Sequence, residues 1–347
     1  MTSPPRLSVC LTFDFDALSP WVFEMAEGNV AALSRGEFGA VAVPRILDLL
    51  DRHELPATFF IPGHTALAYP DLVRQIQAAG HELGHHGWVH EGLSTLAPAK
   101  EREYLLRGLD ALDSVAGVCP TGYRAPGVDV SVNTVEILLE HGFSYDASFS
   151  GSDFEPYYLR SGDQFPIDEA YVFGESTNLV GIPFSWGLSD FQYFEFVPGI
   201  TVRQDTPSAV YEIWHAELAW AHAHVPGGVF DLTMHPQAIG RGHRLVMLER
   251  LIEAAKGLDG IVFERLGDYA ARWRAAHPLD EWLATGPVHA RRPASPRANP
   301  QGKSEGSVSR CDSLTASSIV PRRSAAPNGF VTSFASWGMG LSAYPDM

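Results

Sequence analysis

The chain has 347 residues, enough for one large domain or two ordinary ones, either with a substantial core. Its 25 Lys and Arg stand against 41 Asp and Glu, a formal charge of −16, which disfavours nucleic acid or an anionic membrane surface as the main partner. Cys10, Cys119 and Cys311 are odd in number and widely spaced, excluding a disulfide framework and a CxxC metal site.

The first residues run into a strand-like segment without a basic or apolar leader region, and no apolar run reaches the roughly 18 residues of a membrane span, so a cytoplasmic protein is expected. Residues 7–13 and 57–61 are short β-branched and aromatic runs, whereas 44–53 and 69–79 carry apolar residues at helical spacing. HELGHH reads as a strand end, followed by a helix over 98–116 whose Leu105, Leu106, Leu109 and Leu112 form one stripe. Further helices are predicted at 131–141, 208–223, 242–256 and 268–277, and strands at 180–183, 229–234 and 260–263. Repeated βα units imply an α/β fold with a parallel sheet covered by helices, open or closed into a barrel.

Residues 144–206 interrupt this rhythm with aromatics, Gly and Pro, and are assigned to the wall of the substrate pocket. From residue 285 the composition turns to Ser, Pro, Ala and Arg, with seven basic and three acidic residues. A catalytic domain over 1–284 and a low-complexity, disordered tail over 285–347 are therefore expected.

The stretch GHELGHHGWVHE, residues 80–91, concentrates four histidines and two glutamates. His81 and His85 are four apart, as are His86 and His90. Strand alternation puts His81, Leu83 and His85 on one face and Glu82, Gly84 and His86 on the other. Gly87 then breaks the strand and lets His90 fold back toward His86, so geometry favours that pair. Two histidines need a third protein ligand to hold zinc or a similar ion. The sequence LTFDFDA supplies Asp14 and Asp16, which project to the same face if the strand continues. Like-charged neighbours repel unless a cation or a proton lies between them, so one can ligate a metal while the other acts as base.

Downstream, GYRAPG places Arg124 at a strand end, where it would keep a carboxylate ionised and oriented. FDLTMHPQAIGRGHR places His235 at another, where it can protonate a leaving nitrogen. Trp88, Trp186, Phe191 and Tyr193 are candidate pocket walls, and Arg241 and His243 candidate contacts to a carboxylate or oxyanion. Glu82 and Glu91 are read either as partners that orient the imidazoles or as ordinary salt-bridge residues.

TFDFD (12–16), HGWVH (86–90), RAPG (124–127) and LTMHP (232–236), in that order, resemble the polysaccharide deacetylase family, also called NodB-homology or family 4 carbohydrate esterases. The resemblance spans roughly residues 7–280 and implies a distorted parallel (β/α) barrel. It further implies a metal held by Asp16, His86 and His90, with Asp14 as base, Arg124 as its partner and His235 as general acid. Phe15 separates the two aspartates that the commonest pattern places side by side. HGWVHE and HPQAIGRGHR resemble the branch with allantoinase-like and cyclic-imide-hydrolysing members and some peptidoglycan deacetylases. The expected cofactor is a divalent metal, zinc first, with metal-independent action left open in that branch.

The expected activity is hydrolysis of a non-peptide carbon–nitrogen bond in a small cytoplasmic cyclic amide, imide or ureide; the alternative is an N-acetylglucosamine unit of peptidoglycan or chitin type. Expected partners are limited to such a small-molecule or sugar substrate, with homo-oligomerisation left open. A non-haem iron oxygenase also uses two histidines and a carboxylate, but gives Asp14 and His235 no task and expects an all-β scaffold. A non-catalytic carbohydrate-binding relic of the fold does not require the complete acid–base set.

Overall fold

The computed structural model of the chain describes residues 5–23, 28–197 and 204–291. Among the described residues, nine strands form one sheet: β1 (Leu7–Asp14), β2 (Thr58–Ile61), β3 (Glu82–His85), β4 (Gly122–Tyr123), β5 (Tyr145–Asp146), β6 (Tyr157–Ser161), β7 (Glu175–Gly181), β8 (Gly228–Met234) and β9 (Ile261–Phe263). Their order is β6-β7-β5-β4-β3-β2-β1-β8, with β9 also on β1, and every pairing is parallel except β6 with β7. Phe154, ahead of β6, accepts the Val229 N–H at 2.9 Å, and Ser189, beyond β7, bridges to Thr233. Both contacts bring chain from the far end of the sheet onto β8, which curls the sheet into the distorted barrel implied by the resemblance.

All eight residues of β1 are buried, as a central parallel strand covered on both faces requires. Side-chain alternation then divides them. Leu7, Val9, Leu11 and Phe13 enter a core with Phe59, Leu83, Phe230, Leu232 and Met234, under the outer helices. Cys10 points the other way, into a core with Phe60, Tyr123, Tyr145 and Val229. Asp14 shares the alternation of Cys10, as Asp231 shares that of Val229, so the barrel interior carries a line of polar side chains toward the strand ends.

The helix predicted over 44–53 extends much further, as Val30–Arg52, with Pro44 inside it. Its buried stripe includes Gly36, Gly39 and Ala42, small residues that hydrophobic periodicity does not register. Gly36 is required there, because a Cβ would fall on the Ala17 backbone. Asn29 caps the helix by accepting the Ala31 N–H at 3.0 Å. The predicted helices 98–116 and 242–256 match Pro98–Ala116 and Gly242–Lys256.

The expected boundary at residue 284 falls inside the helix Leu279–Thr285, whose Trp282 packs edge-on against Tyr158. Beyond it, Arg291 exchanges two hydrogen bonds with Ser176 and His289 stacks on Tyr157 at 4.3 Å, so residues up to 291 lie against β6 and β7. The rest of the expected tail, 292–347, lies outside the described residues. No described helix is long and apolar enough to cross a membrane.

Candidate active site

Asp14 ends β1 and Asp16 follows two residues later, with Phe15 buried between them. The Phe15 N–H still donates to Phe60 O at 2.8 Å, so extended pairing carries both carboxylates toward one side. After β3 the chain turns at Gly87, φ 72°, and His90 adopts φ 63°. That turn brings the imidazoles of His86 and His90 to 5.2 Å. One ligand atom from each of Asp16, His86 and His90 then lies within 4.8 Å of the others, and all three residues are buried.

His86 Nδ1 is 2.7 Å from the Arg124 carbonyl, which can only accept, so the neutral ring carries its proton there and presents the Nε2 lone pair. Burial holds this imidazole neutral by pushing its pKa down to about 3. Its Nε2 lies 3.4 Å from Asp16 Oδ1, and both atoms are buried without a hydrogen-bond partner. Two orphaned acceptors facing each other are costly unless something electropositive lies between them. Burial also raises the Asp16 carboxyl to about 6, against the pull of His90 and His235. The donor set therefore fits a divalent cation of the zinc type.

Arg124 has no exposed surface and lies over the Phe60 ring. Its guanidinium donates to Asp14 Oδ1 at 2.8 Å, Asp231 Oδ2 at 2.7 Å, Thr12 Oγ1 at 2.9 Å and the Ala147 carbonyl at 3.1 Å. Burial alone would raise the Asp14 pKa, but Arg124 above all, with His86 and His235, outweighs it and holds the carboxyl below its usual range. His235 follows β8 and places Nε2 3.9 Å from Asp14 Oδ2 and 3.8 Å from Asp16 Oδ2. Burial lowers its pKa, yet Asp190 and then Asp16 and Asp14 reverse this and raise it to about 9.

The structure thus gathers Asp14, Asp16, His86, His90, Arg124 and His235. Trp88 is engaged in packing, with the Arg107 guanidinium 4.1 Å over its ring and Gly63 against its edge. Arg241 lies over Phe38, 3.5 Å from the ring centre. Trp186 is 46% exposed, edge-on to Phe184, on the segment that leads to Asp190. Phe191 packs on the His235 ring at 5.2 Å. Within 144–206, the described chain supplies a sheet edge as well as residues beside His235.

Two carboxylates that contact this cluster, Asp231 on Arg124 and Asp190 on His235, do not stand out in the sequence. Asp231 shares the inward alternation of Thr233 and His235, a period-two signal that could have found it. Asp190 is the single acid within FSWGLSDFQYF, and only the tertiary fold brings it to His235. Glu82 lies away from the histidines, accepting from Tyr145 Oη, Thr58 Oγ1 and the Gly267 N–H. Glu91 binds backbone amides instead of imidazoles.

Residues 3–145 match the polysaccharide deacetylase family. A peptidoglycan deacetylase of Helicobacter pylori is 34% identical over 280 residues, 76% of this chain and 96% of that protein. A solved structure from Mycobacterium smegmatis, described as a polysaccharide deacetylase, superposes with a TM-score of 0.70 at 37% identity, covering 80% of this chain and 93% of the other. The Puue allantoinase structure gives a TM-score of 0.66 at 25% identity, with the same coverage of 80% and 93%.

Proposed function

The chain belongs to the polysaccharide deacetylase family, hydrolases of carbon–nitrogen amide bonds, and we propose that it opens a compact cyclic amide, imide or ureide at a site where Asp16, His86 and His90 hold a divalent metal, zinc first. The facing, unpartnered His86 Nε2 and Asp16 Oδ1 carry this reading. Held by Asp16, His86 and His90, such an ion would supply Lewis acidity toward a carbonyl and a lowered pKa for water. Asp14, kept ionised by Arg124, takes the proton from the attacking water. Asp190 accepts from His235 Nδ1 and so leaves Nε2 to deliver a proton to the departing nitrogen. Ring opening leaves a single molecule that carries a new carboxylate and, on the nitrogen side, an amine, an amide or a urea group according to whether the ring was an amide, an imide or a ureide. A compact substrate is supported by the burial of the Asp14 and His235 side chains, only 5% and 12% exposed, and by the Phe191 ring packed beside the acid.

The second reading is removal of acetate from N-acetylglucosamine units, favoured by the extent of the match to the Helicobacter pylori protein. Hydrolysis of hydantoin, succinimide, allantoin and chitin oligomers is to be measured before and after chelation, and after zinc is restored. Metal-dependent ring opening without acetate release supports the first reading. Acetate release from the oligomers replaces it with the second, and turnover indifferent to chelation overturns the metal assignment.

A further inference from the structure

Glu91 directly follows His90 and is 1% exposed. Its carboxylate turns back on its own loop: Oε1 and Oε2 accept the Trp88 N–H at 2.9 and 3.0 Å, and Oε2 accepts the Val89 N–H at 2.7 Å. Gly87 is shaped to the same group, since a Cβ there would stand 2.8 Å from Glu91 Oε1 and 2.7 Å from Pro126 Cγ. Between these two residues His90 sits at φ 63°, a conformation unfavourable for a residue with a Cβ and held only where its surroundings over-determine it. The other side of the loop is pinned by the Gly63 and His64 N–H groups, which donate to the Gly87 and Trp88 carbonyls at 3.1 and 2.7 Å. The outcome is His90 Nε2 at 3.9 Å from Asp16 Oδ2.

We propose that Glu91 is a positioning residue for the metal site: its carboxylate clamps the Trp88 and Val89 amides and thereby fixes His90 in the left-handed conformation that aims Nε2 at the ion. The clamp rests on the metal reading of Asp16, His86 and His90 and adds the device that preorganises it. Two variants separate clamping from charge. Glu91→Gln keeps the shape but replaces an accepting oxygen with an NH2 group. Glu91→Asp keeps the charge but withdraws it from the amides by one methylene.

The test titrates metal-free wild type and both variants with cobalt(II), read by visible absorption and by competition with a chromophoric chelator, alongside thermal melts. Both variants should bind about 10- to 100-fold more weakly. Wild-type affinity in Glu91→Asp with loss only in Glu91→Gln, or wild-type affinity in both, overturns the clamp alone. Failure of the wild type to take cobalt overturns the metal reading and the clamp with it. Independently of folding in the variants, hydrogen exchange of the metal-free wild type should find the Trp88 and Val89 amides protected; rapid exchange there overturns the clamp.

Discussion

Asp190 holds His235 at two points: Oδ1 is 2.7 Å from the ring Nδ1, and both carboxylate oxygens accept the His235 backbone N–H at 3.1 and 3.0 Å. The ring is thereby fixed with Nε2 toward Asp14 and Asp16, and its pKa rises against the effect of burial. A general acid works while protonated, so activity is present below the His235 pKa and lost as pH rises through it. Asp190→Asn removes the leading cause of the upward shift. The alkaline limb of the kcat profile should move to lower pH, and kcat at neutral pH should fall by about 100-fold. A limb that stays in place in pH–rate measurements would show that another group is the acid.

Asp14 lies outside the three-ligand cluster, although its carboxylate comes within 3.9 Å of His235. Asp14→Asn should therefore lower kcat by about 10²- to 10⁴-fold while the bound-metal stoichiometry stays at the wild-type value. Turnover and metal content measured on one preparation decide the matter. Near wild-type turnover removes Asp14 from the role of base, and loss of metal makes it a ligand.

Arg124 is the buried cation between two buried carboxylates, Asp14 and Asp231. Arg124→Met fills much of the space but leaves both acids without their partner, and breaking a buried pair in this way costs about 3–5 kcal/mol. Urea denaturation should register that loss. Arg124→Lys should rescue it poorly, since an ammonium cannot span two carboxylates, a hydroxyl and a carbonyl as the guanidinium fork does. Full rescue by lysine would mean that charge alone matters here.

The main features of the fold were legible because β1, β2 and β8 are short, largely apolar runs of the kind a strand buried on both faces requires, and because the side-chain alternation of HELGHH, followed by glycine, reads as a strand that stops. The pairing of His86 with His90 followed from that alternation, and His85 is indeed on the opposite face, bonded to Leu105 O. What alternation cannot convey is which distant segment fills a gap. Asp190 reaches His235 from 45 positions away in the sequence, across a segment that includes the helix Pro207–His224 and β8. The helix Val30–Arg52 was half hidden because glycine and alanine form its buried stripe, where close backbone approach replaces side-chain bulk. For Trp88 and Arg241, read as candidate substrate contacts, the structure adds neighbours that the sequence does not show: the Arg107 guanidinium over the Trp88 ring, and the Phe38 ring beneath Arg241.

Gly108, on the helix Pro98–Ala116, faces the root of the histidine loop. A Cβ there would collide with His85 Nε2 and approach the Gly87 carbonyl to 2.8 Å. Glycine to alanine in a helix ordinarily gains about 1 kcal/mol. Here overpacking against a fully buried imidazole should reverse the sign, giving a loss of about 1–3 kcal/mol. Because His85 Nδ1 accepts the Gly87 N–H at 3.1 Å, cobalt affinity should weaken as well. A stabilised Gly108→Ala protein with unchanged affinity would show that the helix shifts away freely.

Asp146, at the end of β5, supplies a pH signature of stability away from the three ligands. One of its oxygens accepts from Ser148 Oγ, while Oδ2 is buried without a hydrogen-bond partner. Burial raises its pKa from an ordinary 3.8 to about 7. Below pH 3.8 the folded and unfolded states both hold the proton, so stability does not vary through this group. Between 3.8 and about 7 the unfolded chain releases its proton first, and folding stability falls as pH rises; above that both states are ionised and the loss is constant. Asp146→Asn removes the titration. Its stability relative to wild type should climb by a few kcal/mol from pH 4 to pH 8 in urea denaturation series. Parallel curves for the two proteins would mean that Asp146 ionises in the folded state as readily as in the unfolded one.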